Sequence, residues 1–169
     1  MDGPSGLALA PDDSLWVVNR NSQDISHLNQ DGTDLGGFSL GFEPSDVVVD
    51  PTDGTLWISE LNAQQLRHYS STGTALGSFT TAVVGSLNGL GISSDGTLHV
   101  AGSGSTSILR YSSAGSLVGS LPINNPAVPF RLTVVPVPEP GTFVLAIVGL
   151  LSVWLLYGRC QRAGNRAAV

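Results

Sequence analysis

The sequence predicts an all-β chain, built from a repeated four-stranded sheet and finished by one apolar carboxyl-terminal helix. Three observations carry that prediction. A motif of about fourteen residues recurs three times at a spacing of 41 to 43 residues. Each copy runs on through short apolar stretches separated by Asp-Gly, Thr-Gly or Ala-Gly turns, where glycine supplies the positive φ of a tight hairpin. One uncharged run, Thr142 to Tyr157, resembles nothing before it. Composition agrees: 21 of 169 residues are glycine, and only 12% are charged, against roughly 25% in ordinary globular proteins.

The first copy begins Pro4-Ser5-Gly6-Leu7-Ala8-Leu9-Ala10-Pro11-Asp12-Asp13-Ser14-Leu15-Trp16-Val17. The second begins Pro44-Ser45-Asp46-Val47-Val48-Val49-Asp50-Pro51 and continues Thr52-Asp53-Gly54-Thr55-Leu56-Trp57-Ile58. The third is Leu87-Asn88-Gly89-Leu90-Gly91-Ile92-Ser93-Ser94-Asp95-Gly96-Thr97-Leu98-His99-Val100, so Trp16, Trp57 and His99 occupy one position. A third strand ends at Leu28, Tyr69 or Tyr111, a turn follows at Gly32, Gly73 or Gly115, and a fourth strand closes at Phe38, Phe79 or Leu121. Four strands in about 40 residues make one blade of a β-propeller. Blades are therefore expected at 4–38, 44–79 and 87–121, with residues 1–136 forming the repeat region. Phe130 to Pro136 aligns with Ser45 to Pro51 and reads as one more inner strand.

Three blades and a strand do not close a ring, which takes four to eight. Met1 to Gly6 also lacks the basic and apolar regions of a secretory signal. Together these lead to the expectation that the chain is the carboxyl-terminal part of a longer exported protein, its blades belonging to a larger ring.

Charge narrows the partners. Residues 1–138 hold twelve acids against four arginines and no lysine, whereas residues 139–169 hold Glu139 against Arg159, Arg162 and Arg166. An acidic repeat region without lysine offers phosphate backbones no electrostatic footprint, so nucleic acid is excluded as a partner. Cys160 is the only cysteine, so no disulfide forms within the chain and no redox compartment is specified.

The run 142–157 would span about 24 Å as a helix, which nearly crosses a hydrocarbon core when flanking arginines snorkel. Trp154 and Tyr157 suit the lipid–water interface, and Arg159, Arg162 and Arg166 beyond them place the carboxyl terminus in the cytoplasm. Before the helix, Val137-Pro138-Glu139-Pro140-Gly141 is a stiff extended peptide presenting one carboxylate.

Two resemblances rest on these residues. The repeat wording of residues 4–121 resembles NHL-type and related six-bladed propeller repeats. The acidic residue that often follows the second strand in those repeats is matched loosely, by Asn19, Glu60 and Gly102. The order Pro138-Glu139-Pro140, apolar helix, arginine cluster resembles the PEP-CTERM sorting signal, here over 137–166 with a short tail at 167–169. Cys160 and Gln161 interrupt the arginines, and seven residues follow Arg162, both departures from the pattern. That resemblance implies recognition by an exosortase-type membrane protease and a body carried outside the cytoplasm. After processing, the body would go to the cell surface or an extracellular matrix, with exopolysaccharide or envelope proteins as partners.

Enzymes of this architecture gather carboxylates, Asn or His at the mouth of the central channel to hold a divalent metal. The candidates for such a set are Asn19, Asn21, Asp24, Glu60, Asn62 and His99. They are scattered over blade positions, where loop caps and turn hydrogen bonds are the ordinary use of such residues. No catalytic residue, metal ligand or cofactor is assigned. Trp16 and Trp57 read as core residues between blades, His27 and His68 as half-exposed strand residues, and Gly102-Ser103-Gly104-Ser105 as a flexible polar turn. The expected function is an exported envelope or matrix binding or structural module. A metal-dependent lactonase or hydrolase on the same propeller, and an unprocessed membrane-tethered interaction scaffold, are the alternatives.

Overall fold

The computed structural model describes residues 1–123 and Leu132. The chain divides into two units, Met1–Val135 and Pro136–Val169. Apart from Leu132, the expected strand at 130–136 lies outside the described residues. So do Pro138, Glu139, Pro140, the helix at 142–157 and Arg159, Arg162 and Arg166. Among the described residues no helix is long and apolar enough to cross a membrane.

Twelve strands form three antiparallel four-stranded sheets. The first sheet holds β1 (Pro4–Leu9), β2 (Leu15–Asn19), β3 (Asp24–Leu28) and β4 (Asp34–Ser39) in that order. The second holds β5 (Pro44–Val49), β6 (Leu56–Glu60), β7 (Gln65–Tyr69) and β8 (Ala75–Thr80). The third holds β9 (Leu87–Ile92), β10 (Leu98–Gly102), β11 (Ser107–Tyr111) and β12 (Leu117–Pro122). These are the three expected blades, each outer strand running one residue past its expected end. The turns into the outer strands take the positive φ foreseen for Gly32, Gly73 and Gly115. Between β1 and β2 it is Asp13, aligned with Gly54 and Gly96, that carries the left-handed φ of 65°.

A single sheet this size cannot bury both faces, and the core lies between sheets. One cluster joins Trp16, Val18 and Ile25 of the first blade to Val47, Val49, Leu56, Ile58 and Tyr69 of the second. Another joins Trp57 and Leu66 to Leu90, Leu98, Val100 and Tyr111 of the third. Aliphatic side chains fully buried this way stabilise by about 1.5 to 3 kcal/mol each, so the blades are held chiefly by their neighbours.

An aromatic ladder crosses each junction. Trp16 packs on Phe38 of its own blade, and Phe38 meets Tyr69 of the next with ring centroids 5.6 Å apart. Trp57, Phe79 and Tyr111 repeat the arrangement, the last pair at 5.3 Å. Tight hairpins leave room for those phenylalanines. A Cβ on Gly73 would stand 2.8 Å from Phe38, and one on Gly115 would stand 2.7 Å from Phe79.

Candidate functional site

β1, β5 and β9 are the first strands of their sheets and lie beside one another. Each carries a bulge at the same place. Pro4 pairs with Asn19 and Gly6 with Val18, leaving Ser5 as the extra residue; the same shift isolates Ser45 and Asn88. A bulge releases its residue from the ladder and re-aims it. All three residues line one cavity of about 410 Å³, which Arg20, Leu61 and Ser103 also line from the position just past β2, β6 and β10. Two sets of three equivalent positions, one member of each set from every blade, thus converge on one mouth, together with Ser86.

The mouth is rich in donors. Ser45 Oγ shares a 2.8 Å hydrogen bond with Ser59 Oγ behind it, and Ser5 Oγ donates to the Pro44 carbonyl at 3.2 Å. Ser103 Oγ accepts the Ser86 N–H at 3.1 Å, which leaves its own proton directed elsewhere. The exposed Arg20 guanidinium and the Asn88 carboxamide form no side-chain hydrogen bond among the described residues. A planar fork of N–H groups beside hydroxyl and amide groups suits a hydroxylated ligand carrying a carboxylate.

The six residues considered for a metal do not assemble. Asn19 is fully buried at the end of β2, where its Nδ2 donates to Asp24 Oδ1 at 2.7 Å and to Ser26 Oγ at 3.0 Å. Asn21 holds Asp2, and Asn62 holds Glu43, at 3.2 Å in each case, a clasp repeated in two blades. Glu60 pairs with Arg67, whose Nη2 lies 2.6 Å from its Oε2 and whose guanidinium sits over the Phe42 ring. His99 Nε2 bonds Ser93 Oγ at 2.6 Å. Among the described residues no three His, Cys, Asp or Glu side chains gather in a way that could hold a metal ion.

Trp16 and Trp57 are buried between blades, and His27 and His68 are half-buried, as expected. Each histidine stacks on its tryptophan, with centroids 4.0 and 4.1 Å apart and planes within 2°. His27 Nε2 lies 2.8 Å from Ser14 Oγ, which donates to Asp12 Oδ1 at 2.6 Å; His68, Thr55 and Asp53 repeat the chain at 2.8 and 2.7 Å. This Asp–hydroxyl–His order is not a nucleophile relay. Hydrogen bonds from Ser14 and Thr55 hold Asp12 and Asp53 below the usual carboxylate range, so both carboxylates only accept. The hydroxyl proton therefore points at the carboxylate and the imidazole N–H points at the hydroxyl oxygen. In a catalytic pair the hydroxyl would face the base. The chain latches the β1–β2 or β5–β6 turn to the third strand. His99 and Arg110 stand in the Trp and His places of the third blade, where the latch is not repeated.

The segment Gly102-Ser103-Gly104-Ser105 holds the expected polar turn, at Ser103 and Gly104, and it is closely packed at its start. A Cβ on Gly102 would stand 2.3 Å from Val83, Ser103 Oγ accepts the Ser86 N–H, and Ser105 Oγ donates to the Ser107 carbonyl at 2.6 Å. It is clamped between the linker before β9 and the start of β11. Sequence reasoning also missed Ser5, Ser45 and Asn88, because a bulge shows only once strands are paired. The available signal was one polar residue recurring at the second position of every copy.

No family model matches the chain, and no curated protein matches it. Among solved structures it is similar to virginiamycin B lyase from Staphylococcus aureus at 20% identity and a TM-score of 0.62, over 76% of this chain and 44% of that one. The WD40 repeats of RRP9 align at 16% identity and a TM-score of 0.64, over 80% and 43%. Hydrazine synthase from Kuenenia stuttgartiensis aligns at 22% and 0.57, over 71% and 37%. These likenesses establish the propeller fold, and the chain spans less than half the length of each of these proteins.

Proposed function

We propose that this chain is an exported propeller module that binds a hydroxylated, carboxylate-bearing ligand, such as a segment of an acidic exopolysaccharide, at the mouth formed by its inner strands. The observation that carries the reading is the convergence of three bulged inner-strand residues, Ser5, Ser45 and Asn88, with Arg20, which has no side-chain hydrogen bond among the described residues, on one cavity. Arg20 supplies the carboxylate contact, and Asn88 and Ser103 supply bonds to hydroxyls. The mouth belongs to an arc of a larger ring, since three blades fall short of closure. The tail supplies the address: Pro138, Glu139 and Pro140 are read by an exosortase-type protease, and the helix at 142–157 with Arg159, Arg162 and Arg166 holds the body outside the cytoplasm until processing.

Calorimetric titration of the full chain with a uronic-acid oligosaccharide, and with its neutral counterpart, tests the mouth. Arg20→Ala is expected to weaken binding of the acidic ligand by about tenfold or more, in line with losing one charge-assisted contact, and to leave the neutral one little changed. Equal loss for both ligands, or none, overturns this assignment. Mass spectrometry of the mature protein tests the tail, and a chain intact through Val169 would rule out processing.

A further inference from the structure

The turns β1–β2 and β5–β6 lie at the opposite end of the strands from the mouth, since β1 pairs through Pro4 with Asn19 at one end and through Leu9 with Leu15 at the other. Between these turns lies a second cavity, of about 460 Å³. Pro11, Pro51 and Val49 give it apolar walls, the aligned Asp12 and Asp53 give it two carboxylates, and Trp16 also lines it. The first two blades supply every residue of that wall, and they pack directly on each other.

Three polar groups of these lining residues have bonding capacity left. Asp12 Oδ1 accepts the Ser14 N–H at 3.1 Å and the Ser14 hydroxyl at 2.6 Å, and Asp53 Oδ1 accepts those of Thr55 at 2.9 and 2.7 Å. Their Oδ2 atoms accept nothing among the described residues. The bonds from Ser14 and Thr55 hold both carboxyls below the usual range, so the cavity carries two negative charges. The third group is the Trp16 indole N–H, on a residue only 4% exposed, and it has no hydrogen bond among the described residues. A buried donor ordinarily has a partner. His27 covers one face of that ring at 4.0 Å, so the indole offers its edge and not a stacking platform.

We infer that this cavity binds a lysine residue of a partner peptide, its ammonium meeting the Oδ2 atoms of Asp12 and Asp53, its methylenes lying along Pro11 and Pro51, and a main-chain carbonyl accepting the Trp16 N–H. Two negative charges beside apolar walls call for a cation on an apolar stem. Lysine fits better than arginine. An arginine fork binds a carboxylate through both oxygens, whereas each carboxylate here has one oxygen already bonded twice, and a compact ammonium with rotating donors needs only the other. None of the 169 residues is a lysine, so the occupant lies outside them. The site goes beyond the mouth and does not depend on it.

Titration of the isotope-labelled full chain in detergent micelles with the acetylated methylamide of lysine, followed by NMR at the tryptophan indole N–H signals, tests it. The Trp16 signal is expected to shift saturably, while that of Trp57, whose Nε1 is buried in the next junction, stays in place. The norleucine counterpart keeps the stem and carbonyls but lacks the amine, and it is expected to leave Trp16 unmoved. Asp12→Asn and Asp53→Asn retain Oδ1 for Ser14 and Thr55, and each is expected to weaken binding by roughly threefold, the size of an exposed ion pair. An unmoved Trp16 signal, an equal response to norleucine, or full affinity in both variants overturns the inference. So does an equal loss from Asp95→Asn, the aligned acid that does not line this cavity, since general surface charge would then account for binding. Tighter binding of the arginine counterpart would overturn the choice of lysine. Failure of the acidic oligosaccharide to bind through Arg20 would sink the mouth and leave this cavity standing.

Discussion

Asp46 Oδ2 accepts the backbone N–H of Leu90 at 3.0 Å, joining the inner strands of two different blades. β9 is the innermost strand of its sheet, so this N–H has no ladder partner on that side, and the carboxylate of the neighbouring strand takes its place. Gly6 and Gly89 hold the aligned positions, and a Cβ on Gly6 would stand 2.6 Å from the Asp46 Cα. The glycine at position 6 is what lets β1 and β5 approach here, and the Asp46 carboxylate ties β5 to β9.

Removing that carboxylate strands a buried donor. Asp46→Ala is expected to destabilise by about 1 to 3 kcal/mol, the cost of an unsatisfied buried polar group. Asp46→Asn keeps one acceptor oxygen and is expected to lose less. Urea unfolding gives both values, and a neutral Asp46→Ala would deny the bond a role in joining the blades.

The hairpin glycines divide by what lies beside them. Gly54 and Gly73 both have positive φ, but only Gly73 has a phenylalanine against it. Gly54→Ala is expected to cost about 1 kcal/mol for the left-handed backbone alone. Gly73→Ala adds the displacement of Phe38 and is expected to cost at least about 1 kcal/mol more. Equal losses in thermal unfolding would mean that Phe38 yields freely.

Tyr111 ties the ladder to the linker. Its hydroxyl accepts the Ala82 N–H at 2.7 Å while its ring packs on Phe79. Tyr111→Phe preserves the ring and removes the acceptor, with an expected loss of about 1 to 2 kcal/mol. Phe79→Ala removes the ring contact on both sides and is expected to cost about 3 kcal/mol. Denaturant midpoints for the two variants should keep that order.

Stability should fall on mild acidification. Burial pushes His68 below the usual imidazole range, against the opposing charges of Asp53 and Asp50. Burial and then Arg110 do the same to His99, against Asp95. The folded state therefore holds fewer protons than the unfolded one just below the ordinary imidazole pKa of about 6.5. Their contribution is complete above that value and is lost as the pH drops through the lowered native values. Asp12, Asp53 and Asp95 are held low by hydrogen bonds, so their contribution disappears only below the ordinary carboxylate range. Melting temperatures between pH 8 and pH 5 check this, and His68→Phe should flatten the curve. A melting temperature that climbs on acidification would contradict the assignment.

Much of the architecture was legible in residue order. Strands, turns and the equivalence of Trp16, Trp57 and His99 follow from local pattern, because alternation and turn glycines act over a few residues. The tail, from Pro138 through Arg166, lies outside the described residues, and its proposed role as an address rests on residue order alone. Beyond Trp16 and Trp57, what lies between blades was not legible. Asn19 bonds across the β2–β3 turn as a turn residue does, yet it is fully buried, and the turn at Ser103 and Gly104 packs against the linker before β9. The bulges that turn Ser5, Ser45 and Asn88 into one mouth exist only as a mismatch between paired strands. The sequence by itself determined which segments become blades. Which residues meet was decided only in the tertiary structure, since residues some 40 positions apart become neighbours when one sheet packs on the next.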